Sequence, residues 1–263
     1  MSKPVKMSIN HHIAQVTLNR PDKANALSLE MFDSIGEAGE QLASDRSVRA
    51  VILHGAGENF CAGLDFDIFR QREPIVDAQA MAPAGPSPAN RFQRAAYVWR
   101  ELPIPVICAI TGVAYGGGLQ IALGADLRYA TADARLSIME IKWGLIPDMA
   151  ISTTLRDILP VDRVKELAWS GRPVAGAEAL GLGLVTALHE DPLTAARQTA
   201  QEICGKSPDA IRAMKRLFNS AWQLAEADAL ALEAQLQCSV FGRPNQLEAV
   251  MANVEKRAPD FKD

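Results

Sequence analysis

Short apolar stretches with two different periods follow one another along the chain. Residues 14–18 alternate between apolar and polar positions, which predicts a half-buried strand. Apolar residues then recur at helical spacing over 29–42, after Ser28 as a candidate N-cap. Residues 48–53 and 106–110 are continuous apolar runs bounded by polar, Gly or Pro residues, which favours buried strands. This recurrence of strand, turn and helix predicts an α/β fold.

The pattern changes near residue 207, where Ser207, Pro208 and Asp209 form a good helix start. We therefore predict two parts: a core that contains the active site over residues 1–206, and a C-terminal helical region over 207–263. Apolar stripes of this kind usually form a core or a contact between subunits. They comprise Ile211, Met214, Leu217, Phe218, Trp222, Leu230, Leu232, Leu236 and Val240.

Composition limits the possible functions. The 263 residues are 48% hydrophobic and carry a net charge of −4, so no overall basic field favours nucleic acid or an anionic membrane. The chain shows neither an N-terminal signal nor an apolar run of membrane length, which predicts a cytoplasmic protein. No metal site is expected, because the cysteines lack paired metal spacing; they are Cys61, Cys108, Cys204 and Cys238.

Two turns of small residues offer the first chemical signal. Gly116, Gly117 and Gly118 come before an apolar segment, 121–123, that reads as the start of a helix. Residues without Cβ atoms let the backbone approach a ligand, and the N–H groups of a helix start attract a negative oxygen. The turn over 62–65 follows the 48–53 run and offers a second N–H donor. Together the two turns predict an oxyanion hole.

Acidic residues that could move a proton follow this glycine turn. Glu140 comes twenty residues after Gln120, and Asp148 lies eight residues further on. The apolar neighbours of Glu140 are expected to keep it out of bulk water and to raise its pKa; they are Ile138, Met139, Ile141 and Trp143. For Asp148, an N-cap of a helix over 151–159 is the alternative interpretation.

These motifs, in this order, resemble the crotonase family (enoyl-CoA hydratase/isomerase). The resemblance rests on the turn over 62–65, on the three glycines, and on Glu140 before the Gly-Leu-x-Pro segment 144–147. It extends from 18–21 to 254–257, nearly the whole chain. It implies a spiral of ββα units with a C-terminal helical region, and a homo-oligomer in which trimers often pair as hexamers. The Pro-rich residues 73–90, predicted as a loop, would line or cover the acyl pocket.

The resemblance also implies roles for individual residues. The backbone N–H groups of Leu64 and Gly117 would form the oxyanion hole, and Glu140, Asp148 and Gln120 are the catalytic candidates. Coenzyme A would be part of the substrate, so no cofactor is expected. The predicted residues for binding the acyl-CoA are Lys23, Ala24, Ala26, Ala62, Gly63, Asp65, Tyr115, Gly116, Pro147 and Lys256, and Lys262 is a further basic position in the tail.

Gln120 is the departure that bears on the reaction. Hydratases of the family carry a second glutamate here, and Gln cannot exchange a proton. Isomerases acting on dienoyl-CoA place an aspartate at the position of Asp148, although they also have Asp where this chain has Gln120. The leading hypothesis is therefore isomerisation of a double bond in an enoyl- or dienoyl-CoA. Hydration of a 2-enoyl-CoA is the alternative, and a non-catalytic acyl-CoA binding protein is the alternative of another class.

Overall fold

The computed structural model describes residues 3–70, 77, 79–83 and 87–263. Its strands are β1 Val5–Asn10, β2 Ile13–Leu18, β3 Ala50–Gly55, β4 Val106–Ile110, β5 Val113–Tyr115, β6 Leu127–Ala130, β7 Arg135–Ser137, β8 Val174–Ala175 and β9 Ala187–Leu188. Its helices are α1 Leu29–Ser44, α2 Arg91–Glu101, α3 Gly117–Leu123, α4 Ile151–Thr154, α5 Val161–Ser170, α6 Gly176–Leu182, α7 Pro192–Cys204, α8 Pro208–Ser220, α9 Glu226–Val240 and α10 Pro244–Glu255.

Two sheets organise these elements. The larger sheet has six strands in the order β1-β2-β3-β4-β6-β9. Its β1 and β2 are antiparallel, and the remaining neighbours are parallel. The smaller sheet has the order β5-β7-β8. The predicted α/β class is confirmed.

The predicted elements of the first half appear with small shifts. Helix α1 follows Ser28, whose side chain accepts the Met31 N–H at 3.2 Å. The strand predicted over 48–53 lies two residues later, as β3. The reason is local, because the Val48 N–H donates to the Asp45 carbonyl and so belongs to the turn that follows α1. The run predicted over 106–110 coincides with β4.

Helix α8 begins at Pro208 as predicted, with Ser207 at its N-cap. It is tied to the rest of the chain by the buried Lys215, whose ammonium group donates to the Asp126 carboxylate at 2.7 Å. The same group also donates to two backbone carbonyls, those of Trp99 and Ile104. The division at residue 206 stays a prediction.

Two further predictions concern the loop over 73–90 and the absence of a membrane span. Part of the loop predicted over 73–90 lies outside the described residues, and its role at the acyl pocket stays a prediction. Among the helices that are described, none has both the length and the apolar character that a membrane span requires.

Candidate active site

A pair of backbone hydrogen bonds brings the two small-residue turns together. The Cys61 N–H donates to the Val113 carbonyl at 2.9 Å, and the Tyr115 N–H donates to the Cys61 carbonyl at 3.0 Å. Cys61 and Ala114 are thereby paired as a parallel bridge. Since the turn over 62–65 follows Cys61 and the glycines follow Tyr115, both turns leave this bridge in the same direction.

The glycine turn differs in one respect from the prediction. Helix α3 begins at Gly117, so the glycines form its first turn instead of preceding a helix that starts at Ile121. Gly116 is the N-cap residue, with φ 52° and ψ −123°, a conformation that only glycine adopts readily. This backbone geometry lets the helix start immediately after β5. The N–H of Gly117 therefore belongs to the first turn, which has no acceptor within the helix.

Gly118 allows the helix to approach the first turn closely. A Cβ atom built on Gly118 would lie 2.5 Å from the Cys61 carbonyl oxygen. Gly63 is required in the same way on the other turn. Its φ is +91°, and a Cβ there would lie 2.8 Å from the Tyr115 carbonyl oxygen. Larger residues at either position would push the two turns apart.

A third segment, residues 24–27, lies against the turn over 62–65. The Ala62 N–H donates to the Ala24 carbonyl at 2.9 Å, and the Leu27 N–H donates to the Gly63 carbonyl at 2.8 Å. Ala26 lies between these two points and is buried. The predicted binding residues Ala24, Ala26, Ala62 and Gly63 are thus neighbours in the fold.

Asn25, which the sequence analysis did not select, holds this segment in place. It is fully buried with φ 55°, and its side-chain amide donates to the carbonyls of Ala56 and Asn59 at 2.9 and 2.7 Å. Its side-chain oxygen accepts the Arg20 N–H at 2.8 Å. A positive φ is more common for Asn than for most residues. An Asn in a polar turn was therefore the sequence feature that could have identified this position.

Asp65 has a structural partner within the site. Its carboxylate accepts a hydrogen bond from the Arg20 guanidinium at 2.7 Å, and its other oxygen accepts the Asp67 N–H. Burial works against the charge of Asp65, but these hydrogen bonds outweigh it, and the pKa of Asp65 lies below its ordinary value. Asp65 therefore holds the turn as a charged group, and direct contact with an acyl-CoA stays a prediction.

The backbone N–H groups of Leu64 and Gly117 lie on the two turns. Within the described part of the chain, neither N–H donates to a protein acceptor. The N–H that follows Leu64 differs in this respect, because the Asp65 N–H donates to the Leu27 carbonyl at 3.0 Å. Two unused donors on adjoining turns fit the expected oxyanion hole.

Glu140 lies beside the glycine turn. It opens a 3₁₀ turn, Glu140–Trp143, and it is 9% exposed. Its Oε1 lies 3.2 Å from the position that a Cβ on Gly116 would occupy, which places the carboxylate directly against the turn. Its Oε2 is buried and, among the described residues, has no hydrogen-bond partner.

Burial raises the pKa of the Glu140 carboxyl above its ordinary value, and the nearby charge of Asp148 raises it further. The predicted direction of the pKa shift agrees with the structure. The prediction that the apolar neighbours of Glu140 in sequence keep it out of water is only partly correct. Ile138 is buried, whereas Ile141 and Trp143 are exposed in this chain.

Gln120 links Glu140 to the backbone of Met149. Its Nε2 donates to Glu140 Oε1 at 2.6 Å, and its Oε1 accepts the Met149 N–H at 2.8 Å. Gln120 itself is 1% exposed on α3. Met149 was not selected from the sequence, since a backbone N–H leaves no signal there.

Asp148 is half-buried, and burial raises the pKa of its carboxyl. The alternative interpretation as an N-cap is wrong. The residue that caps α4 is Ala150, and no side chain caps the helix, which ends at Thr154 instead of continuing to 159. Asp148 is therefore left on the approach to α4, close enough to Glu140 for their charges to interact.

The remaining predicted residues lie at the edge of the site or elsewhere. Tyr115, the last residue of β5, and Pro147, on the approach to α4, are both half-buried. Lys23 is exposed and lies 3.6 Å from the Asp67 carboxylate. Lys256 ends α10 with φ 54°, and the described residues of this chain give it no contact with the two turns. Lys262 pairs with Asp260, and its backbone is bonded to Asn245.

Comparison with known proteins agrees with this geometry. The sequence model of the family described as Enoyl-CoA hydratase/isomerase matches residues 8–263. Enoyl-CoA hydratase EchA19 of Mycobacterium tuberculosis is 34% identical, with 96% of this chain and 94% of that protein covered. The mitochondrial Delta(3,5)-Delta(2,4)-dienoyl-CoA isomerase of Mus musculus is 30% identical, with 95% and 79% covered. Among solved structures, an enoyl-CoA hydratase from Bacillus anthracis superposes with a TM-score of 0.88 at 29% identity, covering 98% of this chain and 99% of that one.

The chain therefore belongs to the enoyl-CoA hydratase/isomerase family, also called the crotonase family. It has the crotonase fold, as the sequence motifs predicted, and it is an enzyme of this superfamily. Hydratase names dominate among the similar proteins compared, and one of these proteins is named a dienoyl-CoA isomerase.

Gly118→Ala tests the close approach of the two turns. The added methyl group would meet the Cys61 backbone, so we expect the free energy of unfolding to fall by about 1–3 kcal/mol. Displaced turns should also lower kcat/KM on an acyl-CoA substrate by roughly 10²-fold. Urea unfolding and steady-state kinetics measure the two effects. Gly181→Ala on α6 is the matched control, because its Cβ would meet no atom within 4 Å; equal losses in both variants would contradict the prediction.

Proposed function

We propose that the protein isomerises a carbon–carbon double bond in an enoyl- or dienoyl-CoA. The observation that carries this proposal is the difference between the two oxygens of the Glu140 carboxylate in hydrogen bonding. One of its oxygens, Oε1, is held by Gln120 beside the glycine turn, and the other, Oε2, is buried and has no hydrogen-bond partner among the described residues. A single desolvated carboxylate oxygen is suited to taking a proton from one carbon and returning it to another.

The thioester carbonyl would accept hydrogen bonds from the N–H groups of Leu64 and Gly117. Glu140 Oε2 would then remove a proton from the carbon next to the carbonyl, and the electron pair of that C–H bond would move onto the thioester oxygen as an enolate. Each N–H donor aimed at this oxygen stabilises the transition state by about 3 kcal/mol. When the enolate collapses, the double bond shifts and the distal carbon receives a proton from Glu140 or from Asp148.

The position of Asp148 supports a mechanism in which two carboxyl groups, those of Glu140 and Asp148, transfer the protons. Its pKa and that of Glu140 are both raised, and the charges of the two groups interact. Raised pKa values bring carboxyl groups closer to neutral pH, where one can serve as base and the other as acid. The same pair would let a dienoyl-CoA lose a proton at one end and gain one at the other.

Hydration of a 2-enoyl-CoA is the second candidate, favoured by the names of most similar proteins. In that reaction Glu140 would activate a water molecule that adds to the double bond. The amide at Gln120 weighs against it, because Gln120 is committed to Glu140 and Met149 and cannot supply or accept a proton. The non-catalytic acyl-CoA binding protein is set aside, because the chain belongs to a superfamily of enzymes.

We further propose that the segment 23–26 binds the coenzyme A part of the substrate. It adjoins the first oxyanion turn through the pairing of Ala24 with Ala62. Lys23 is exposed there and would meet the phosphates of coenzyme A. Lys256 would contribute from the C-terminal tail.

A trimer or hexamer is proposed from the apolar surface of the C-terminal helices. Large apolar side chains project from α8 to α10 in the single chain, and contiguous exposed apolar surface usually marks a protein contact. They include Met214, Phe218, Leu230, Leu247, Val250, Met251 and Val254.

Glu140→Gln is expected to lower kcat by roughly 10²–10⁴-fold, because the amide keeps the shape of the side chain but cannot accept a proton. Turnover should be followed on 2-enoyl-, 3-enoyl- and 3,5-dienoyl-CoA, with double-bond migration and hydration recorded separately. Glu37→Gln on the exposed side of α1 is the matched control. Unchanged turnover in Glu140→Gln on the best substrate would remove Glu140 as the base.

Gln120→Glu is expected to create or raise hydratase activity on a 2-enoyl-CoA. The new carboxyl would face Glu140 Oε1, and two adjacent carboxyls push one pKa upward, which supplies an acid and a base at neutral pH. The unmodified enzyme should favour double-bond migration. Hydration by the unmodified enzyme at an ordinary rate of about 10 per second, with no gain in Gln120→Glu, would contradict isomerisation as the main reaction.

Light scattering at micromolar concentration should give three or six times the 28.4 kDa mass of the chain. The physical reason is the exposed apolar surface of α8–α10, which a partner subunit would cover. A mass of 28.4 kDa throughout a dilution series would refute the oligomer.

A further inference from the structure

The hydrogen bonds of Gln120 have a direction that is fixed at one end. The Met149 N–H belongs to the main chain and can only donate, so the Gln120 oxygen must face it, as observed at 2.8 Å. Flipping the amide would oppose two donors at a site where Gln120 is 1% exposed, and a buried donor without an acceptor is strongly disfavoured. The orientation of the Gln120 amide is therefore set by the backbone of Met149.

This orientation constrains the Glu140 carboxyl. With its oxygen towards Met149, Gln120 presents its NH₂ group to Glu140 Oε1 at 2.6 Å. An NH₂ group donates only, so Oε1 has to be an acceptor and cannot carry a proton that points at Gln120. When Glu140 is protonated, Oε2 is therefore the favoured position of the proton, and this oxygen is buried without a hydrogen-bond partner among the described residues.

Met149 also contacts the oxyanion side of the site. Its Sδ lies 2.7 Å from the position that a Cβ on Gly117 would occupy, so the thioether packs directly on that residue. One residue thus orients Gln120 through its backbone and supports Gly117 through its side chain. Met149 therefore fixes the positions of both the base, Glu140, and the oxyanion donor, Gly117.

We propose that Met149 and Gln120 form a positioning relay that confines the exchangeable proton of Glu140 to Oε2 and holds that oxygen in register with the Gly117 N–H. The proposal rests on Glu140 being the base of the proposed function, but not on whether the reaction is isomerisation or hydration. Gln120 is on this view a positioning residue, and it takes no part in proton transfer itself.

The relay has a measurable consequence for titration. The hydrogen bond from Gln120 stabilises the charged carboxylate and so lowers the pKa of Glu140, opposing burial and the charge of Asp148, which raise it. Among the described groups, Asp148 is the titratable neighbour that acts on Glu140. A base works only when deprotonated, so activity falls as pH drops through this pKa. Removing the Gln120 donor should raise the pKa and move the acidic limb of activity to higher pH.

Gln120→Met removes both hydrogen bonds while keeping an unbranched side chain of similar length. The acidic limb of kcat/KM, measured against pH on the best acyl-CoA substrate, is expected to move upward by about one pH unit, since a hydrogen bond to a charged group is lost. Gln15→Met on β2 is the matched control, because Gln15 also uses its amide with side-chain partners but lies away from Glu140. The acidic limb of kcat/KM for Gln15→Met should coincide with that of the unmodified enzyme.

A second variant decides the question if Gln120→Met does not fold. Gln120→Glu keeps an acceptor for the Met149 N–H and should also move the limb upward, because a like charge then faces Oε1. An unmoved limb in the folded variants overturns the relay. That outcome differs from failure of the proposed function, in which Glu140→Gln would retain turnover; an inactive Glu140→Gln with an unmoved limb overturns the relay alone.

Discussion

The pairing of Cys61 with Ala114 is the interaction on which the rest of the site depends. Two main-chain hydrogen bonds join segments that are more than fifty residues apart in sequence. They place the turn after Cys61 and the glycine turn after Tyr115 at one end of the bridge. Each side chain of the site then takes its position from one of these two turns or from a segment bonded to them.

Close approach at this bridge limits the residue types on both sides. Gly63 and Gly118 face backbone oxygens at distances that no side chain would tolerate. Gly116 adopts a conformation that starts α3 directly after β5. Glycine is therefore required here for packing and for its backbone dihedral angles. The resulting turns carry the N–H groups of Leu64 and Gly117, which have no acceptor among the described residues.

Burial then gives the acidic residues their chemistry. Glu140 is not shielded by the apolar residues that follow it in sequence, since Ile141 and Trp143 are exposed. It is buried because the turn places it against Gly116 and Gln120. The same placement leaves Oε2 buried without a hydrogen-bond partner among the described residues.

Much of this protein was determined by the sequence alone. The apolar periods located α1, β4 and the start of α8 to within two residues, and three short motifs identified the family, because turns that need glycine and small residues leave a visible spacing. The contacts of Asn25, Lys215 and Met149 were decided only by the tertiary structure. Their partners are backbone groups or distant side chains, which sequence spacing does not encode. For the same reason the sequence could show that Gln120 lacks an exchangeable proton, but only the fold shows that its amide is oriented by one backbone N–H.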